Sequence, residues 1–165
     1  FLLTKLLLDR VVQSVPARIV MVSSVGHYRG SMELDDLGYE KGGYSIMGAY
    51  ARSKLANVLM TRGLAKRLEG KGVTVNALNP GAVATNICTR APGGTQPILA
   101  VVKELFMISP QKGAQTITYL ATSPEVEGKT GLYFEKNTPK TPAKLARDEA
   151  LVEQVWAISE QQVNA

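Results

Sequence analysis

Tyr50 and Lys54 stand four residues apart in a stretch of helical periodicity, so their side chains share one face of a helix. A free phenol has a pKa near 10 and is a poor acid or base at neutral pH. A neighbouring ammonium favours the phenolate, and bringing the phenol to about pH 7 requires roughly 4 kcal/mol of differential stabilisation. That much is attainable only where the pair is partly desolvated beside a further cationic group. The pair alone is weak: with 6 Tyr in 165 residues, chance supplies about 0.4 Tyr-x-x-x-Lys spacings.

Two other groups add weight. Ser23-Ser24 ends the β-branched run Arg18-Ile19-Val20-Met21-Val22, which reads as a strand buried on both faces of a parallel sheet. Open α/β sheets place ligands at that carboxyl end, where a hydroxyl can donate to an oxygen that is gaining negative charge. Asn79-Pro80-Gly81 closes the next strand, Thr74–Asn79, and a Pro-Gly turn lets backbone amides approach a flat ligand. Taken singly, each has a plainer reading: a helix surface pair, the start of a loop, a structural turn.

The elements that must position these residues follow from periodicity. Helices are expected over Phe1–Gln13, Ser45–Leu68, near Ile98–Met107, from Pro110 to Ala121, and over Asp148–Ser159. A third strand is expected at Gly131–Phe134, a Gly-rich and acidic loop over Val25–Gly43, and a mobile segment over Ala82–Pro97. In the second helix Leu55, Val58, Leu59, Ala65 and Leu68 form the apolar face. Helices alternating with strands imply parallel strands joined by right-handed crossovers. Three strands make a thin sheet with an exposed edge, and the chain opens inside a helical pattern with neither Met nor a capping residue. From both features the chain is expected to be a fragment of a larger doubly wound fold.

Composition bounds the function classes. The net charge of +5 is scattered, with no Lys/Arg run or interleaved aromatics, which argues against nucleic acid. The apolar stretch Phe1–Leu8 is far short of the ~20 residues of a membrane span. One His and one Cys make a metal site unlooked-for, and unpaired Cys88 fits a reducing, cytoplasmic compartment. His27 is most simply a solvated loop residue, and Trp156 and Tyr133 read as packing residues.

In their order along the chain, Phe1-Leu2-Leu3-Thr4, Arg18–Ser24, Ala49-Tyr50-Ala51-Arg52-Ser53-Lys54-Leu55-Ala56-Asn57, Asn79–Thr85, Gly113–Thr116 and Tyr119–Glu125 running on to Gly131–Phe134 carry a resemblance. The chain resembles the C-terminal half of a short-chain dehydrogenase/reductase, on the branch of retinol dehydrogenases and WW-domain-containing oxidoreductases. The resemblance implies an α/β chain, the C-terminal half of a doubly wound parallel-sheet Rossmann fold. Residues 1–165 would be the catalytic and nicotinamide-side part of one such domain, with the N-terminal dinucleotide-binding half missing.

It further implies an NAD(P)-dependent oxidoreductase interconverting a small-molecule alcohol and a carbonyl. Tyr50 would be the acid/base, Lys54 would lower its pKa and bind the nicotinamide ribose, and Ser24 would orient the substrate oxygen. Tyr50, Lys54, Pro80, Gly81, Val83 and Thr85 would contact the cofactor. The family's glycine-rich turn, ribose-binding residue, Asn-Ala-Gly segment and catalytic Asn would all precede Phe1, so NADP is expected over NAD only by analogy with the branch. The first two long helices would pack against a second subunit in a homodimer.

Two alternatives stand beside this reading. One is a truncated, non-catalytic dimerisation or interaction module of the same family. The other is a serine hydrolase using Ser23 or Ser24, disfavoured by the lack of a GxSxG elbow.

Overall fold

The computed structural model describes residues 1–83 and 107–164. Helix α1 (Leu2–Val12) leads into strand β1 (Ala17–Val22) and a short 3₁₀ turn at Val25–Arg29. Helix α2 (Ile46–Arg67) is followed by strand β2 (Val73–Asn79), helix α3 (Pro110–Thr122), strands β3 (Tyr133–Glu135) and β4 (Thr138–Lys140), and helix α4 (Glu149–Asn164).

Local chemistry sets the helix ends. The Ser45 hydroxyl accepts the Gly48 amide at 3.1 Å and Ser109 caps Lys112, relieving orphan N–H groups of α2 and α3. Pro110 at the first position of α3 sacrifices no helical hydrogen bond. The closing helix runs five residues past the expected Ser159, because no Gly or Pro interrupts the pattern.

The sheet order is β1-β2-β3-β4, with β1, β2 and β3 parallel. Side chains alternate across it. On one face Ile19, Met21, Val73, Val75 and Ala77 meet α1, α2 and α4; on the other Val20, Leu78 and Phe134 meet α3. All five expected apolar positions of α2 are buried, with Leu55 and Leu59 wholly so. Removing one such side chain, as in Leu59→Ala, would cost about 2–5 kcal/mol.

Two strand expectations are corrected. β1 is half-buried rather than fully buried, because it is the edge of the described sheet. The described residues form four strands, not three: β4 folds back antiparallel on β3 through Lys136 and Asn137, at φ 49° and 62°. Positive φ at both central residues is the geometry of a tight hairpin turn. Lys-Asn, with Pro139 in the returning strand, lacks the Asn-Gly signature that announces such a turn in sequence.

The strand register brings the loops that carry polar residues together. Val22 pairs with Leu78, and Leu78 with Phe134, so the three parallel strands end on one line. The residues that leave them, Ser23-Ser24, Pro80-Gly81 and Lys136, emerge at a common edge.

Candidate active site

Ser23 and Ser24 leave β1 with opposite fates. Ser23 is buried, and its hydroxyl donates to the Lys54 carbonyl at 2.8 Å, tying the strand end to α2. Ser24 is half-buried, and its Oγ accepts the Gly26 amide at 3.1 Å. With one lone pair occupied in this way, the Ser24 O–H remains available as a donor. Two further donors fix the strand end: Asn57 at 3.0 Å and the Lys54 ammonium at 3.5 Å both reach the Val22 carbonyl.

Tyr50 lies on the first turns of α2, 39 % exposed, with its ring against the turn that carries Ser24. A Cβ built on Gly26 would stand 3.0 Å from a Tyr50 ring carbon and 3.6 Å from Ser24 Oγ. The tyrosine ring and the serine hydroxyl thus both border the point beside Gly26, where a side chain would press on the ring. Lys54 sits one turn further along, its Nζ 5.6 Å from the Tyr50 ring centroid. Among the described residues no carboxylate pairs with that ammonium.

The second strand presents backbone. Gly81 has φ +89°, a left-handed conformation that L side chains rarely adopt, and its amide donates to Asn79 Oδ1 at 3.1 Å. The Ile108 amide then donates to the Ala82 carbonyl at 2.8 Å, and Val83 bridges Ile108 in parallel. α3 approaches so closely that a Cβ on Gly113 would collide with Val83, which fixes that residue's place. Thr85, Cys88, the expected Ile98–Met107 helix up to residue 106 and most of the Ala82–Pro97 segment lie outside the described residues.

A cleft of about 510 Å³ opens beside this turn, walled by Asn79, Pro80, Gly81, Gln115, Glu135 and Lys136. Its size suits a small-molecule or cofactor fragment. A larger cleft, about 740 Å³, lies at the opposite end of the strands around Pro16, Arg18, Gly72 and Thr130, remote from Tyr50, Lys54 and Ser24.

His27 overturns its expectation. It is fully buried, not solvated, packed 4.0 Å from the Tyr28 ring and 4.5 Å from the Tyr133 ring between centroids. Its Nε2 accepts the Ala143 amide at 3.1 Å, so the ring proton is on Nδ1, which donates to the Ser24 carbonyl at 2.7 Å. Burial holds its pKa below the ordinary value, against smaller opposing effects of the Ser24 hydrogen bond and Glu135. Both nitrogens face backbone, so His27 cannot serve as base to Ser23 or Ser24, and the hydrolase alternative loses its base. Burial, reinforced by its hydrogen bond to Glu135, likewise pushes the Tyr133 phenol strongly up, out of reach of neutral-pH chemistry.

Gly26, Asn57 and Arg52 are working residues that the sequence did not single out. Asn57 lies three residues from Lys54 and so shares its face, a signal that was available. Arg52 is buried, stacked 3.8 Å over the Tyr39 ring and donating to the Asp36 carbonyl at 2.7 Å, and so anchors the loop leading into α2. No periodicity marks it.

The profile described as short chain dehydrogenase matches residues 1–93. Over 97 % of its length the chain is 46 % identical to human retinol dehydrogenase 14, and over 96 % it is 42 % identical to human retinol dehydrogenase 13. It spans about half the length of these curated relatives, 48 % and 49 %. Among solved structures, an uncharacterized protein from Mycobacterium Paratuberculosis superposes with TM-score 0.71 at 28 % identity, covering 99 % of this chain and 55 % of that one. A short chain dehydrogenase from Salmonella enterica serovar Typhi superposes with TM-score 0.57 at 25 % identity, covering 81 % and 46 %. With its Rossmann-like α/β sheet and this match over more than half its residues, the chain belongs to the short chain dehydrogenase family.

Proposed function

We propose that this chain carries the proton-transfer centre of an NAD(P)-dependent oxidoreductase that interconverts an alcohol and a carbonyl. The observation that carries the reading is the approach at Gly26, which brings the Tyr50 ring and the Ser24 hydroxyl to one small volume at the carboxyl end of β1.

A dinucleotide's nicotinamide end fits the donor set: an exposed phenol and, one turn along the same helix, an ammonium that no carboxylate pairs among the described residues, at the sheet edge that also carries the Pro80-Gly81 turn. Tyr50, Lys54, Pro80, Gly81 and Val83 are the residues proposed to hold it, with Thr85 beyond them in the sequence. The bound cofactor would supply or accept the hydride. In the reducing direction, negative charge grows on the carbonyl oxygen as the hydride arrives. The Ser24 O–H donates a hydrogen bond to that oxygen, and Tyr50 gives it the phenolic proton. Lys54 stabilises the phenolate left behind. In the oxidising direction the phenolate takes the alcohol proton, and the same groups act in reverse.

The names of its relatives make retinol and its aldehyde the first substrate pair to try. Titration of the full-length protein with NADPH and NADH tests the reading, followed by assay of retinaldehyde reduction. On the order of micromolar binding with turnover is expected. Binding of neither nucleotide would leave the second reading, a dimerisation module. That alternative is favoured by the apolar face of α1, where Leu3 is 71 % and Leu6 72 % exposed. In the enzyme, the same face would serve a homodimer contact.

A further inference from the structure

The serine turn is held from a direction the catalytic reading does not use. The Ser24 carbonyl accepts two N–H groups from one residue: the His27 amide at 3.1 Å and the His27 Nδ1–H at 2.7 Å. The other side of the same imidazole accepts the amide of Ala143, 116 residues along the chain. The next residue repeats the connection, since the Tyr28 hydroxyl donates to the Thr141 carbonyl at 2.8 Å. Both bonds land on the segment just past β4, so the turn after β1 is fastened to the chain that comes after the β3–β4 hairpin.

The consequence for the hydroxyl is geometric. Ser24 sits in extended backbone (φ −164°, ψ 160°), between the end of β1 and a five-residue 3₁₀ turn. A peptide group at such a junction can rotate unless its carbonyl is held, and rotation there shifts Val25 and, through it, the Gly26 amide that donates to Ser24 Oγ. A buried imidazole offers one donor and one acceptor at fixed separation. This site uses both, and no other side-chain type supplies that pair on a rigid ring.

We propose that His27 is a positioning residue for the reaction: its imidazole clamps the Ser24 carbonyl to the Ala143 amide and thereby fixes the Ser24 hydroxyl against Tyr50. The inference rests on the reading of Ser24 and Tyr50 as the proton-transfer centre. His27 itself touches neither substrate nor cofactor.

Three variants of the full-length protein separate the two halves of the clamp. His27→Phe keeps the ring volume and loses both bonds; His27→Asn keeps a donor near the Nδ1 position; His27→Gln keeps an acceptor near the Nε2 position. With retinaldehyde as probe, kcat should fall about tenfold in His27→Phe and His27→Gln and be restored only in part in His27→Asn, which lacks the Ala143 half of the clamp, with KM for the nicotinamide nucleotide unchanged. Hydrogen exchange at the Ala143 amide should instead be protected in wild type and His27→Gln alone. Equal losses of kcat in all three, or none, would overturn the proposal.

A measurement on the unaltered protein stands apart from folding of the variants. The ¹⁵N spectrum of His27 should report a protonated Nδ1 and an unprotonated Nε2, and the opposite tautomer would refute the clamp. Ser24→Ala distinguishes the two levels of failure. If it leaves kcat intact, the assignment of Ser24 is wrong. If it lowers kcat while His27→Phe does not, only the role of His27 is wrong.

Discussion

The turns that leave β1 and β2 are neighbours at one edge of the sheet, yet they are built by different means. The β1 turn is held by side chains: Asn57 and Lys54 reach Val22, Ser23 reaches back to α2, and His27 ties Ser24 to Ala143. The β2 turn is held within its own stretch of chain and by backbone pairing: a Pro, a glycine at φ +89°, the Asn79 side chain accepting the Gly81 amide, and a bridge from Val83 to Ile108. A turn that must aim a hydroxyl needs its orientation over-determined. One that must lie flat against a ligand needs a residue from which no side chain projects, as at Gly81. The contrast matches the proposed division, with proton chemistry at the first turn and cofactor contact at the second.

Substitutions can break that division of labour, the largest effect first. Tyr50→Phe should lower kcat for retinaldehyde reduction by about 10²–10⁴-fold, the usual worth of a general acid. Its denaturation midpoint should not move, because the ring is half-exposed and the structure gives its hydroxyl no partner among the described residues. A midpoint that falls with kcat would make Tyr50 a structural residue.

Gly81→Ala should act on the other side of the divide. The new Cβ meets Ile108 Cδ1 at 3.0 Å in a left-handed backbone, costing about 1–2 kcal/mol. Nucleotide affinity measured by calorimetry should weaken roughly tenfold, by strain spent on the same turn, while kcat at saturation changes less. Gly26→Ala should do the reverse. Its Cβ presses the Tyr50 ring aside by a few tenths of an ångström, lowering kcat about fivefold and leaving nucleotide affinity unchanged. Identical kinetic signatures for the two glycines would erase the distinction between the turns.

The smallest expected effect is on stability against pH. His27 is held neutral by burial, so its folded pKa lies below the unfolded value of 6.5. Above that pH both states leave it neutral and it contributes no pH dependence. As pH falls through 6.5 the unfolded chain takes up a proton that the folded chain refuses, and stability drops by at most about 1.4 kcal/mol per pH unit. Glu135, and the Ser24 carbonyl that accepts its Nδ1–H, narrow the window by favouring the charged ring. The gap in urea midpoint between wild type and His27→Asn, measured at pH 7.5, 6.5 and 5.5, should narrow only in the acid range, where wild type alone loses stability. A constant difference would mean that His27 titrates alike in both states.

How much of the molecule was legible in its sequence depends on the range of the forces involved. Helices and parallel strands were legible because burial imposes a period: the α2 face of Leu55, Val58, Leu59, Ala65 and Leu68 is buried as its spacing implies. β4 was not, since three residues carry no period and its turn uses Lys136-Asn137 in place of glycine. At the candidate site, Tyr50 and Lys54 were visible through helical spacing. The fate of His27 was invisible because its partner Ala143 lies 116 residues away, and no local pattern encodes a contact at that distance. Gly26 was hidden for a related reason, its constraint being the Tyr50 ring and not its own backbone.

The central claim is that Tyr50 and Ser24 act on one substrate oxygen, and a double-mutant cycle tests it most directly. Single-turnover reduction of retinaldehyde would be timed for wild type, Tyr50→Phe, Ser24→Ala and the double variant. Two donors on a single oxygen are interdependent, so the double variant should lose less than the product of the single losses, with a coupling of at least about 1 kcal/mol. Losses that multiply to within about 0.5 kcal/mol would mean that the two hydroxyls work independently, and would contradict the claim.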